Sequence, residues 1–155
     1  MQGDERQRFA TKRILIVEDN ELNMKLLRDV LEAYGYATIT TAEGGAALGL
    51  ARENRPDLIL MDLQLPDISG FDAVRRLKDH EETGTIPVVA VTAFAMVGDE
   101  RRALTSGCDA YLAKPILLRD FLNLVERFIG AAGGPQQGAA AATGRGGLPA
   151  TTRAE

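Results

Sequence analysis

The sequence predicts an α/β protein, a doubly wound parallel sheet of five strands with helices on both faces. Strand-like and helix-like patterns alternate five times between residues 13 and 130, as they do when βα units wind into a parallel sheet. Three of the five strand segments are near-continuous apolar runs, the mark of strands covered on both faces. Crossover connections between parallel strands are right-handed, which restricts how such units can be wound.

The elements follow in order. "RILIVE" (13–18) is an apolar strand. The first helix carries Met24, Leu27, Val30, Leu31 and Tyr34 at helical spacing and stops at Gly35. "YATITT" (36–41) is the second strand. The second helix lies in "GGAALGLAREN", where Ala47, Leu50 and Ala51 make a thin apolar stripe. "DLILMD" (57–62) is the third strand, and the third helix begins near Ser69 and turns Phe71, Val74 and Leu77 inward. "IPVVAVT" (86–92) is the fourth strand, with Pro87 near its start. The fourth helix falls in "GDERRALTSG" and stops at Gly107. "AYLAK" (110–114) is a short fifth strand. The fifth helix runs from about Leu118 to Ile129, with Leu118, Phe121, Leu122, Val125, Phe128 and Ile129 on one face.

The flanks differ from this middle. Residues 1–12 are polar and read as a flexible N-terminal segment. Residues 131–155 hold six Gly and eight Ala, with Leu148 the only large apolar side chain. Burial there cannot offset the entropy of ordering, so the segment reads as a disordered Ala/Gly-rich tail. Residues 13–130 are expected to form a single domain, with no effector domain after it.

Composition narrows the function. Hydrophobic residues make up 45% and charged residues 26%, a globular balance. The net charge of −4 argues against a dedicated nucleic-acid binder, which needs a basic face. The N-terminus lacks the apolar core of a secretory signal, and no apolar run approaches the ~20 residues of a membrane helix. The expectation is a soluble, cytoplasmic protein. Cys108 is the one cysteine; it reads as a small buried hydrophobe, since the one histidine, His80, sits in the polar run "KDHEETG".

In such a sheet ligands bind beyond the carboxyl ends of the strands, near the point where strand order reverses. The first strand ends in Glu18, Asp19 and Asn20, the third in Asp62, the fourth in Thr92 and the fifth in Lys114. Thr40 and Thr41, which end the second, suggest nothing. Taken singly, each residue has a plainer role: Asp19 or Asn20 as a helix cap, Asp62 as a turn acid, Thr92 as a β-branched strand residue, Lys114 as a loop lysine. Together they bring three carboxylates, a hydroxyl and an ammonium to one rim. Clustered carboxylates repel unless a cation joins them. With only oxygen ligands on offer, a hard divalent ion such as Mg²⁺ suits the set. Asp62, kept ionised, could then accept a phosphoryl group whose oxygens are met by the ion, Lys114 and Thr92.

At these residues the sequence resembles a two-component response-regulator receiver domain. The matching pieces are "ILIVEDN", "DLILMDLQLPDISG", "VVAVTA" and "GCDAYLAKPI". The resemblance implies a flavodoxin-like sheet in the order 2-1-3-4-5, with Asp62 as the phosphorylated aspartate. It also implies that Glu18 and Asp19 hold Mg²⁺, that the backbone carbonyl of Gln64 completes the metal site, and that Lys114 pairs with the phosphoryl group. Thr92 matches the switch hydroxyl, Tyr111 the switch aromatic (or else a half-buried strand residue), and Lys114–Pro115 a bond that is usually cis. The Gln64 side chain matches a position that tunes dephosphorylation.

The resemblance further implies a phosphohistidine donor, on a histidine kinase or a phosphotransfer protein. Docking is expected on the first helix and the loop after the fifth strand, where Leu22, Asn23 and Leu26 are candidates. The segment from Thr92 to Ile116 looks most like stand-alone cell-cycle regulators and the receiver modules of hybrid kinases. Output is expected as phosphorylation-dependent protein binding on the fourth helix, fifth strand and fifth helix, with Phe94 and Met96 as contact candidates. Slow loss of the phosphoryl group, not enzymatic turnover, is the expectation. A phosphohydrolase with an aspartyl-phosphate intermediate is a rival, but it would want a second acid where Gln64 stands. A nucleotide-binding module would want a Gly-rich loop where "VEDNELN" presents acids. A module that binds without being phosphorylated is the third alternative.

Overall fold

The computed structural model describes residues 11–93 and 98–131. Its strands are β1 (Arg13–Val17), β2 (Ala37–Thr41), β3 (Leu58–Asp62), β4 (Val88–Thr92) and β5 (Ala110–Ala113). They form one sheet, parallel throughout, in the order β2-β1-β3-β4-β5. The helices are α1 (Glu21–Ala33), α2 (Ala47–Asn54), α3 (Gly70–Asp79), α4 (Asp99–Thr105) and α5 (Leu118–Ile129). The order reverses between β1 and β3, so the carboxyl ends of those two strands flank the switch point where ligands bind in this kind of sheet.

The apolar runs have a simple cause. Successive side chains of a strand point to opposite faces, and here each face is covered. Leu15, Val17, Ile59 and Met61 pack under α2, α3 and α4, against Ala51, Val74 and Leu77. Ile14, Ile16, Leu58 and Leu60 pack under α1 and α5, against Leu31, Phe121 and Val125. Every residue of β3 and β4 is buried, whereas the edge strands β2 and β5 are partly exposed. Fully burying a side chain such as Phe121 contributes about 1.5–3 kcal/mol.

The helix ends follow local signals. Asn20 caps α1, its side-chain oxygen accepting from the Asn23 amide at 2.9 Å, which settles the choice between Asp19 and Asn20. Ser69 caps α3 by accepting from the Phe71 amide at 3.1 Å. Gly35 after α1 and Gly107 after α4 take φ of 97° and 117°, left-handed values that suit glycine. At the far end, the buried Tyr36 donates its hydroxyl to the Gly130 carbonyl at 2.9 Å, tying the end of α5 to the start of β2.

Several expectations need correction. Strand readings ran one or two residues long, so Glu18 lies just past β1 and Lys114 just past β5. Leu118 shares the face of Phe121 and Val125, but as the first residue of α5 it is left 47% exposed. Phe71 is only half-buried, with the Arg102 guanidinium 4.2 Å over its ring. A single helical turn at Glu81–Gly84 lies within the polar run "KDHEETG", to which the sequence assigned no element. It forms around Thr83, which is fully buried and donates its hydroxyl to the Leu77 carbonyl at 2.6 Å. A 3₁₀ turn, Gly44–Ala46, leads directly into α2. Phe94, Met96, residues 1–10 and the tail from 132 onward lie outside the described residues. Among the described residues, no helix is long and apolar enough to cross a membrane.

Candidate functional site

The sheet register assembles the site. Val17 pairs with Met61, so Glu18, the next residue beyond β1, stands beside Asp62 at the end of β3. Asp62 in turn pairs with Val91, just before Thr92. Thr92 pairs with Ala113, just before Lys114, and the Thr92 carbonyl accepts from the Lys114 amide at 2.7 Å. Glu18, Asp62 and Thr92 are 2%, 3% and 3% exposed. The Lys114–Pro115 bond is cis.

The Lys114 ammonium lies between two buried acids, 3.0 Å from Glu18 Oε1 and 3.4 Å from Asp62 Oδ2. Carboxylate oxygens of Glu18, Asp19 and Asp62 fall within 4.8 Å of one another. Three carboxylates against one ammonium leave two negative charges uncompensated. A hard divalent cation matches that deficit, and an all-oxygen set with room for water suits Mg²⁺. Asp19 is exposed, so this face of the cluster opens to solvent.

Asp62 is held by its own loop. Its Oδ1 accepts from the Gln64 amide at 2.9 Å. Burial pushes its pKa from 3.8 to about 6; the Gln64 amide opposes this, the Glu18 charge adds to it, and Lys114 opposes it. The loop closes on itself where the Gly70 amide donates to the Leu63 carbonyl at 3.2 Å. Gly70 is required there, since a Cβ would stand 2.4 Å from Leu63 Cα and 2.6 Å from the Asp62 carbonyl oxygen.

The other expected residues lie around this centre. Tyr111 is half-buried in β5, on the face covered by α2, α3 and α4. On α1, Leu22 and Leu26 are 75% and 57% exposed, and Asn23 is partly exposed. A groove of about 160 Å³ runs from Asn23 and Leu26 to Pro115, Ile116 and Leu118, with Lys114 in its wall. Two contacts escaped the sequence reading. The Gln64 side-chain oxygen accepts from the Ala93 amide at 3.3 Å, across to the loop after β4. The carboxylate of Asp67 accepts from the amides of Gly44 and Gly45. A Gly-Gly pair before a helix and an acid just after Pro66 were the available signals, but no spacing rule joins positions so far apart.

Known proteins place this arrangement. The sequence profile of the response regulator receiver domain matches residues 14–126. The polar-differentiation response regulator DivK of Brucella ovis is 58% identical over 120 residues, which cover 77% of this chain and 98% of DivK. The receiver domain of the sensor histidine kinase PA1611 of Pseudomonas aeruginosa, crystallised with magnesium coordinated in its active-site cleft, superposes with a TM-score of 0.73 at 36% identity, covering 79% of this chain and all of that one. The co-crystal structure of the Saccharomyces cerevisiae phosphotransfer protein Ypd1 and the receiver domain of Ssk1 gives a TM-score of 0.71 at 32% identity, covering 77% of this chain and 90% of that one.

Proposed function

The chain belongs to the response regulator receiver domain family of two-component signalling, and on that premise we propose that Asp62 accepts a phosphoryl group from a phosphohistidine. Receiver domains are in general signalling modules rather than enzymes. The observation that carries the reading is the convergence of Glu18, Asp19, Asp62 and Lys114 at one rim.

Glu18, Asp19 and Asp62, with the Gln64 carbonyl, would hold Mg²⁺, which when bound supplies charge neutralisation at the phosphoryl oxygens. The chain's own groups do the rest. An Asp62 carboxylate oxygen attacks phosphorus; the P–N bond of the donor breaks, and the freed imidazole nitrogen takes up a proton. Lys114, already between the two acids, is placed to pair with a phosphoryl oxygen. The Thr92 hydroxyl, at the end of the neighbouring strand, is the group we assign to sense the new charge. Tyr111 is assigned to follow it, and Gln64 to set access of water to the phosphoryl group.

The groove between α1 and the loop after β5 is the proposed donor surface. It is apolar, lined by the exposed Leu26, and Lys114 connects it to Asp62. The Ypd1–Ssk1 assembly shows that a receiver of this kind meets a phosphotransfer protein directly. The match to DivK spans nearly all of that relative, which is therefore little more than a receiver. By analogy, output here is phosphorylation-dependent protein binding at the face of α4, β5 and α5.

The test is incubation with Mg²⁺ and acetyl phosphate, followed by intact mass. One phosphoryl group is expected, absent in Asp62→Asn and absent when the metal is chelated. Equal labelling of Asp62→Asn would move the acceptor elsewhere.

A further inference from the structure

We propose that Asp67 is a positioning residue for this site: it straps the loop after Asp62 to the turn at Gly44–Gly45 and so holds Gln64 in place beside Asp62. The inference rests on the reading of Glu18, Asp19, Asp62 and Gln64 as the Mg²⁺ set.

The loop Leu63–Ser69 contains no regular structure. Its two ends are joined where the Gly70 amide donates to the Leu63 carbonyl, and on the β4 side the Gln64 side chain accepts from the Ala93 amide; neither bond reaches residues 65–68. Yet the site depends on what this loop carries, since the Gln64 amide donates to Asp62 Oδ1. Asp67 supplies the anchor on the other side. Its Oδ1 accepts from the Gly44 amide at 2.9 Å and its Oδ2 from the Gly45 amide at 2.8 Å. These amides open the helical run that continues into α2, where N–H groups have no partner within the helix. Bonds from such donors to an ionised acceptor are the stronger kind.

Two further observations agree. The Gly45 and Gly44 amides hold the Asp67 carboxyl below its ordinary pKa, as bonds donated to the ionised form do. The turn also fits closely against the residues on either side of Asp67: a Cβ on Gly44 would stand 2.8 Å from Leu65 Cδ1 and 3.0 Å from Ile68 Cγ1. Residues 65, 67 and 68 thus all bear on one turn outside the site. Asp67 does not bond Asp62; it acts through the backbone that joins it to Gln64.

The test compares Asp67→Ala and Asp67→Asn with the parent by NMR. It follows amide hydrogen exchange at Gln64 without metal, and Mg²⁺ affinity from the same resonance. Asp67→Ala should speed Gln64 exchange and weaken Mg²⁺ binding about ten-fold, as loss of an outer support to a metal site does. Asp67→Asn keeps one acceptor oxygen and should recover part of both. Asp72→Ala, which removes an exposed acid in the first turn of α3, controls for general loss of stability. If Asp67→Ala lowers the melting temperature but leaves both readouts within about two-fold of the parent, Asp67 is merely structural and the proposal is overturned. A parent that binds no Mg²⁺ would defeat the metal reading instead, and the metal-free exchange would still decide the strap.

Discussion

The Lys114 ammonium sits 3.0 Å from Glu18 Oε1, and both side chains are largely out of solvent. Such a pair need not stabilise the fold relative to an apolar pair, but breaking it strands a buried charge. Lys114→Ala should therefore cost about 3 kcal/mol in the metal-free protein. Added Mg²⁺ should restore part of that, because the ion replaces the lost positive charge. Urea denaturation in chelator and in Mg²⁺ measures both; a variant as stable as the parent in chelator would mean the two acids do not rely on Lys114.

Asp62 gives a pH dependence whose sign can be worked out. Burial raises its folded pKa to about 6 from 3.8, so between those values the folded protein holds more protons than the unfolded chain. Stability of the metal-free domain then falls as pH rises through that window and levels off above about 6. Asp62→Asn removes the titration. It should be more stable than the parent at neutral pH without metal, by an amount on the order of 1–3 kcal/mol. The difference should vanish near pH 4. Melting curves across pH in chelator report it, and parallel curves for the two proteins would rule it out.

Gly70→Ala should be the most damaging single methyl at the rim. The added Cβ meets backbone at Leu63 and Asp62 rather than a side chain that can turn away. A cost of about 3 kcal/mol is expected, at the upper end for overpacking. Acetyl phosphate labelling of Asp62 should fall with it, since the clash displaces the Asp62 carbonyl itself. Chemical denaturation and intact mass are the measurements; full labelling with normal stability would show that the loop relaxes freely.

Leu26→Asp separates donor docking from chemistry. Leu26 is exposed on α1 and lines the groove, and it is not one of the clustered acids. The substitution should slow transfer from a phosphorylated phosphotransfer protein by about ten-fold or more, the effect of losing a 1.4 kcal/mol contact. Labelling by acetyl phosphate should stay at the parental rate. Equal slowing with both donors would place Leu26 in the fold rather than the docking surface.

The sheet was legible because its strands obey one rule: β1, β3 and β4 are buried on both faces and so read as unbroken apolar runs. Glycine stops marked the ends of α1 and α4 for the same reason that their φ is positive. The site was legible as strand ends, because parallel pairing in register brings residues 18, 62, 92 and 114 to one edge. What the sequence hid is long-range and polar. Thr83 turns a polar run into a helical turn through one buried hydroxyl, and Asp67 reaches amides 22 and 23 positions away. Periodicity carries no signal for such pairings. Leu118 misled because amphipathic spacing says which face a residue occupies, not whether anything covers the first turn.

The bond between Tyr36 and Gly130 has a practical consequence. It sends the backbone out at Ala131 from the pole of the molecule opposite the acidic rim. A dye or affinity handle attached at Ala131 itself would sit at that pole, leaving the reactive edge and the α1 groove unobstructed for kinetic work.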